Sequence, residues 1–262
     1  MSANVPMLFV TWQAPESRRI FPVARVLRLP NGRYEWAYVH AVSEAREQGF
    51  SGLPGYEDLE RVSVSAELPG LFSHRVQPRA RRAASGVRAA NDSFDPAPIT
   101  LLVPLGEGRH ERLEVFAPPL PAPLGRYWGV FVARGVGRIP GSEAALQALT
   151  PPEPLRLEPE PHNPVSARAL RLLRADGAPI GYVPDYLANE LADAGANTEA
   201  TEKLGADGFR VELVSSERVT HPPAAPLYSV TCRYTCGGAL GTRLFRSERY
   251  RPTAAAAFVL RH

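Results

Sequence analysis

The chain is poor in lysine, cysteine and long apolar runs, and each shortage excludes a class of protein. Its one lysine, Lys203, lies in no Gly-x-x-x-x-Gly-Lys loop, so the phosphate cradle of a P-loop NTPase is absent. Helicase activity would therefore need a partner chain. Only two cysteines occur, Cys232 and Cys236, too few for a disulfide framework and in keeping with a reducing compartment. The longest apolar runs, Met7–Val10 and Ile99–Val103, fall far short of the roughly 20 residues that cross a bilayer. Met1–Val10 carries no basic leader, and Trp12, Gln13 and Glu16 interrupt any apolar segment, so no secretory signal and no membrane association are expected, and the expected location is cytoplasmic. No Gly-x-Ser-x-Gly nucleophile elbow is present. His40, His74, His110, His162, His221 and His262 are scattered without ligand spacing. Glu57, Asp58 and Glu60 read as a solvated face rather than a metal-dependent nuclease centre.

Proline, by contrast, is abundant, at 27 of 262 residues. With few long periodic stretches, this points to a mainly β (α+β) protein of short strands and turns, divided into two compact units. The net charge of +3 is small, but its distribution is uneven. Ser73–Ala90 contains Arg75, Arg79, Arg81, Arg82 and Arg88 and no acidic residue. Such a run can neutralise phosphates. It can equally be a solvated loop, since no aromatic residues are interleaved with it.

Turn chemistry sets the expected strands. Met7–Val10, Pro22–Leu29 and Tyr34–Val39 open the chain, the last two joined by Asn31-Gly32, a pair that tolerates positive φ and so favours a hairpin. Ile99–Val103 and Arg112–Phe116 follow. Pro118–Pro123 reads as a stiff polyproline linker. Beyond it come strands at Trp128–Ala133, Leu155–Glu158, Leu170–Arg174 and Ile180–Tyr182, the last two turned by Asp176-Gly177. A short helix is expected over Ser142–Leu149 with Ser142 as N-cap. A second is expected over Asp185–Ala194, with Leu187 and Leu191 on one face and Gly195 as its stop. Phe209–Val214 and Leu227–Tyr234 are the final strands. The expected organisation is a β-rich amino-terminal domain over 1–118 with an Arg-rich loop at 73–90, a linker at 119–123, a β-barrel at 124–218, and a strand and tail at 219–262.

Two motifs within the second part carry a resemblance. Leu157-Glu-Pro-Glu-Pro-His-Asn-Pro-Val-Ser-Ala-Arg-Ala-Leu170, followed by Gly181-Tyr-Val-Pro-Asp-Tyr-Leu-Ala188, resembles the HIRAN domain over roughly Tyr127–Ser216. In that family a strand ends in Glu-Pro-x-Asn-Pro-x-Asp, and Gly-Tyr-x-Pro precedes a helix. Phe9-Val-Thr-Trp12, Glu67–Phe72, Leu227–Arg233 and Ser247–Pro252 are similar to stand-alone prokaryotic, hence bacterial, HIRAN proteins. The resemblance implies an OB-like β-barrel with two short helices that binds single-stranded DNA, in the best understood member at a 3′ end. It places Phe131, Arg134, Asn163, Ser166 and Tyr182 at the nucleic-acid surface, joined by Arg75, Arg79, Arg81 and Arg82 of the basic run. The sequence departs from the family at Val165-Ser166, where Tyr-Asp is common, losing a stacking ring and a carboxylate able to accept a hydrogen bond from a terminal hydroxyl. The Asn163-Pro164 step is also good turn chemistry in its own right, and Gly181 and Pro184 suit backbone geometry.

These readings converge on a non-catalytic nucleic-acid-binding module, acting as a recruitment factor for single-stranded DNA or DNA ends, with a helicase or nuclease chain as a possible partner. A metal-dependent hydrolase of phosphoester or phosphoanhydride bonds and a protein-interaction adaptor are the alternatives. No cofactor is expected. Zinc at Cys232 and Cys236 lacks two further ligands and the Cys-x-x-Cys spacing, and the alternation Val230, Cys232, Tyr234 favours buried thiols in a strand. If the basic run contacts phosphates, replacing Arg79, Arg81 and Arg82 together by alanine should weaken single-stranded DNA binding irrespective of sequence. The salt dependence should flatten by up to about three contacts, with the melting temperature unchanged. Fluorescence anisotropy across a salt series checks this; an unaltered affinity and slope would make the run a solvated loop.

Overall fold

A computed structural model describes residues 7–67, 99–104, 110–140, 142–194, 208–219 and 227–254. The chain divides into two units, Met1–Pro118 with Phe245–His262, and Pro119–Leu244. Arg75, Arg79, Arg81, Arg82 and the rest of the basic run lie outside the described residues, as do Gly195 and His221.

The first unit is an antiparallel sheet in the order β4-β3-β2-β1-β6-β5. Its strands are β1 (Met7–Gln13), β2 (Ile20–Arg28), β3 (Tyr34–Tyr38), β4 (Ser63–Ser65), β5 (Ile99–Pro104) and β6 (His110–Phe116). The β2–β3 hairpin turns where the sequence places it: Gly32 has φ +79°, and Asn31 Oδ1 accepts from the Arg33 N–H at 3.0 Å. A helix that the sequence pattern did not reveal, α1 (Val42–Glu47), buries Val42 and Ala45.

Four consecutive β1 residues, Phe9 to Trp12, are buried, which requires cover on both faces of the sheet. Val10 and Trp12 join Phe21, Val23, Trp36, Tyr38, Leu113 and Val115 in one core. On the opposite face Phe9 meets Phe116 at 5.6 Å between ring centroids, and the chain's last described segment covers them. Tyr250 lies 5.0 Å from Phe9 and Phe245 lies 5.0 Å from Phe116. Arg249 fastens that segment through a two-point ion pair with Glu44 of α1, at 2.9 and 3.0 Å. Val39 and Pro252 form a bridge. The end of the chain therefore belongs to the first unit.

In the second unit the order is β11-β10-β9-β12-β13-β8-β7, all antiparallel. The strands are β7 (Leu120–Ala122), β8 (Arg126–Val132), β9 (Glu153–Glu160), β10 (Ala169–Leu173), β11 (Pro179–Tyr182), β12 (Arg210–Val219) and β13 (Leu227–Cys236). The helices are α2 (Ser142–Gln147), α3 (Asp185–Asp193) and α4 (Gly238–Gly241). The proline-rich stretch expected as a linker supplies β7, paired with β8 at the sheet's edge, where a missing proline N–H is tolerated. The strand expected in the tail, β13, is instead inserted between β12 and β8. Helix α2 begins at Ser142 rather than after it. The mainly β, OB-like character stands, but the barrel is not closed. β8 ends at Val132, and the chain turns at Gly135 and Gly137, with φ of +62° and +75°. Across the gap to β11 the described residues make one isolated bridge, Arg134 to Tyr182.

The inward face of this sheet carries Phe131, Leu172, Leu213, Val230, Cys232, Tyr234 and Cys236, all buried. Burial pushes the Cys232 thiol far above its usual range, so it is a protonated, inert core group; Cys236, on the same strand, is also fully buried. Leu187 and Leu191 of α3 are buried together, as their spacing predicts. The Tyr234 ring stacks on Phe209 at 5.3 Å and crosses the backbone of Gly129, where an added Cβ would collide with the ring. Gly129→Ala should therefore overpack this core by about 1–3 kcal/mol. Thermal unfolding should show it as a Tm lowered by about 3–10 °C.

Candidate nucleic-acid interface

The loop between β9 and β10 is built around one amide. Asn163 Nδ2 donates to Glu160 Oε2 at 2.9 Å. Its Oδ1 accepts from the N–H groups of Val165 and Ser166 at 2.9 and 3.3 Å. The Asn163 N–H donates to the Glu160 carbonyl at 3.0 Å. Asparagine suits this work because its short amide both donates and accepts within a turn. Ser166 Oγ accepts from the Arg168 N–H at 3.3 Å, and the Arg168 guanidinium holds Asp193 of α3 at 2.7 Å. Val165 is left 41% exposed, so the loop presents a small apolar side chain to solvent.

Glu160 is the hub of the cluster. Besides Asn163, it takes hydrogen bonds from the Tyr182 hydroxyl and from the Arg171 guanidinium, while Arg171 also reaches Glu158 at 3.7 Å. Strand register produces this meeting: Arg171 stands opposite Glu158 on β9 and opposite Tyr182 on β11, and Ala169 stands opposite Glu160. The hydrogen bond from Asn163 above all, then those from Tyr182 and Arg171, hold the Glu160 carboxyl below its usual value. Partial burial first, then the neighbouring carboxylate, raises Tyr182. The phenol therefore stays protonated as a donor.

Tyr182 also makes the one bridge that the described residues form across the gap. Its N–H donates to the Arg134 carbonyl and its carbonyl accepts from the Arg134 N–H, both at 2.8 Å. Gly181 permits this approach, since a Cβ there would lie 2.7 Å from the Arg134 carbonyl oxygen. Arg134, Asn163, Ser166 and Tyr182 are thus linked through a chain of hydrogen bonds with Glu160 in its middle. Phe131 is not part of it. Placed at the surface by the sequence reading, Phe131 is fully buried on the inward face, opposite Cys232 and 6.4 Å from the Tyr234 ring, so it is a core residue with no surface to offer a ligand. Glu160 and Arg171 were missed as site residues. Their only sequence signal is opposite charge on two strands whose register the sequence does not state.

Among the described residues no group of three His, Cys, Asp or Glu side chains could hold a metal ion. In the first unit a cleft of about 600 Å³ is lined by Arg46, Phe50, Glu57, Asp58 and Glu60. There Glu57 accepts from the Gly55 N–H at 2.8 Å, and Asp58 accepts from the Glu60 N–H at 3.0 Å, so both carboxylates serve their own turns. No helix among the described residues is long and apolar enough to cross a membrane.

Residues 129–201 match the HIRAN domain family, and this part of the chain is a HIRAN domain. The chain is also similar to the HIRAN domain of human HLTF in its crystal structure, at 15% identity and a TM-score of 0.30, over 47% of this chain and 85% of that one. Among curated proteins no significant match is found.

Glu160 has a depressed folded value, so its stabilisation is present above the ordinary carboxyl value of 4.5 and fades as pH falls through the lowered one. Glu160→Gln should therefore reduce Tm most at neutral pH, and the gap to wild type should narrow toward pH ~3. Paired melts at several pH values check this; a gap independent of pH would mean that the carboxylate charge contributes nothing.

Proposed function

We propose that this chain is a non-catalytic nucleic-acid-binding protein that engages single-stranded DNA through its HIRAN domain and serves to recruit a DNA-processing partner chain, a helicase or a nuclease. Nucleic-acid binding in general follows from the HIRAN domain at residues 129–201, and that observation carries the reading. The arrangement at the loop is compatible with it. The Asn163 turn is braced from below by Glu160, Arg171 and Tyr182, so its outer surface is rigid before any ligand arrives, which lowers the entropic cost of binding.

What the loop lacks bears on specificity. Recognition of a free 3′ hydroxyl needs an acceptor such as a carboxylate, and the stacked terminal base needs a ring; Val165 and Ser166 provide neither. The protein should hold a strand by its backbone without selecting an end. Labelled oligonucleotides with free and blocked 3′ hydroxyls should bind with equal, micromolar or weaker affinity and lose affinity as salt rises. Anisotropy titrations at two salt concentrations test this. No binding even at low salt would overturn the nucleic-acid reading, and a strong preference for the free hydroxyl would overturn the claim about end selectivity.

A further inference from the structure

The outward face of the second unit's sheet carries chemistry that the loop does not use. Register fixes which side chains share it. Trp128 of β8 stands opposite Thr235 of β13 and Leu120 of β7, and Thr235 stands opposite Arg210 of β12. In the next row Val130, Arg233 and Glu212 are neighbours. Side-chain contacts confirm the common face. The Arg233 guanidinium lies over the Trp128 ring at 5.9 Å, and Arg126 donates to Thr235 Oγ1 at 3.2 Å. Around Trp128 the face carries three arginines, Arg126, Arg210 and Arg233, and one carboxylate, Glu212, which pairs with Arg233 at 3.1 Å; Glu217, opposite Ser229, lies further along the same face. Trp128 is partly exposed and Arg210 is exposed. A core would bury the indole, whereas here it stays partly exposed among guanidinium groups.

We infer that this face is a second binding surface for single-stranded nucleic acid, on which a base stacks against the Trp128 ring while Arg126, Arg210 and Arg233 attract the backbone phosphates. A partly exposed aromatic ring with guanidinium groups around it on an antiparallel sheet suits unpaired bases, whose π-faces are accessible, and rejects a duplex, whose bases are stacked inside. Stacking and phosphate attraction read neither base identity nor the sugar, so the face binds DNA and RNA strands alike. Around Trp128 the excess of arginine over carboxylate makes this part of the face electrostatically complementary to a polyanion. The inference rests on the nucleic-acid reading above but assigns a different surface, distant in sequence from the Asn163 loop.

The protein contains its own probe. Its tryptophans are Trp12, Trp36 and Trp128, and the first two are 1% exposed, so quenching of tryptophan emission on adding a strand reports Trp128. Titrating the full chain with oligo(dT) and with oligo(rU) should quench the emission to a similar extent at similar concentrations. Trp128→Phe should abolish the quench while keeping affinity within about threefold, because a ring remains for stacking. Trp128→Ala should weaken binding by about tenfold, the order of one lost stacked base. Arg210→Glu, at an exposed site that leaves the fold intact, should weaken binding several-fold and reduce its salt dependence. Circular dichroism melts keep a misfolded Trp128→Ala protein from being misread, and Arg210→Glu stands as the independent variant. Binding seen by anisotropy, with no quench and no effect of either substitution, would overturn this surface and leave the loop reading standing. Absence of binding by both methods would overturn both. A quench that persists in Trp128→Phe would place the signal elsewhere and likewise overturn it.

Discussion

Two backbone hydrogen bonds between Arg134 and Tyr182 join strands that the sheet's own order leaves at a distance from one another. Without them β11 would end the sheet as a free edge, an arrangement prone to fraying or to pairing with another chain. The bridge depends on Gly181, since any side chain there would push the Arg134 carbonyl away. It also places the Tyr182 phenol where it can donate to Glu160, and so couples the backbone bridge to the side-chain cluster beneath the β9–β10 loop. Removing the contact across the gap would therefore loosen the loop as well, even though the loop's own hydrogen bonds are local.

The loop shows how a motif can be architectural. Every polar atom of the Asn163 side chain is engaged within the protein, so the amide is no free hand for a ligand. Its contribution is to fix where Val165 and Ser166 stand and to keep the Glu160 charge compensated. A buried or half-buried carboxylate with several donors is stable where a bare one would not be. The outward sheet face around Trp128, by contrast, holds aromatic and cationic groups side by side.

In the first unit the constraint is cover. A strand buried on both faces needs two layers against it, and the sheet's second face would present Phe9 and Phe116 to water if the segment from Phe245 to Thr253 did not lie there. Burying such rings is worth roughly 2–3 kcal/mol each. The chain's last described residues are thus tied to its first strand by the hydrophobic effect, with the Arg249–Glu44 pair setting their position.

Much of the local structure was legible from residue types because its causes are local. Asn31-Gly32 and Asp176-Gly177 make hairpins since few other pairs accept their backbone angles. Leu187 and Leu191 mark a helix face, and the alternation of Val230, Cys232 and Tyr234 marks a strand with buried thiols. Asn163 was legible as a turn former, and its contacts are those of the turn. Tertiary structure alone decided the rest. Arg126–Val132 is almost continuously apolar, so its alternation has no readable phase; pairing of Phe131 with Cys232 sets it, turning Phe131 inward and Trp128 outward, and a slip of one residue would reverse both. The meeting of Glu160 with Arg171, the use of a proline-rich stretch as an edge strand and the return of Phe245–Thr253 to the first sheet likewise depend on contacts between residues far apart in the chain. Residue types specify which groups can pair, whereas register and the need to cover apolar surface determine which of them do.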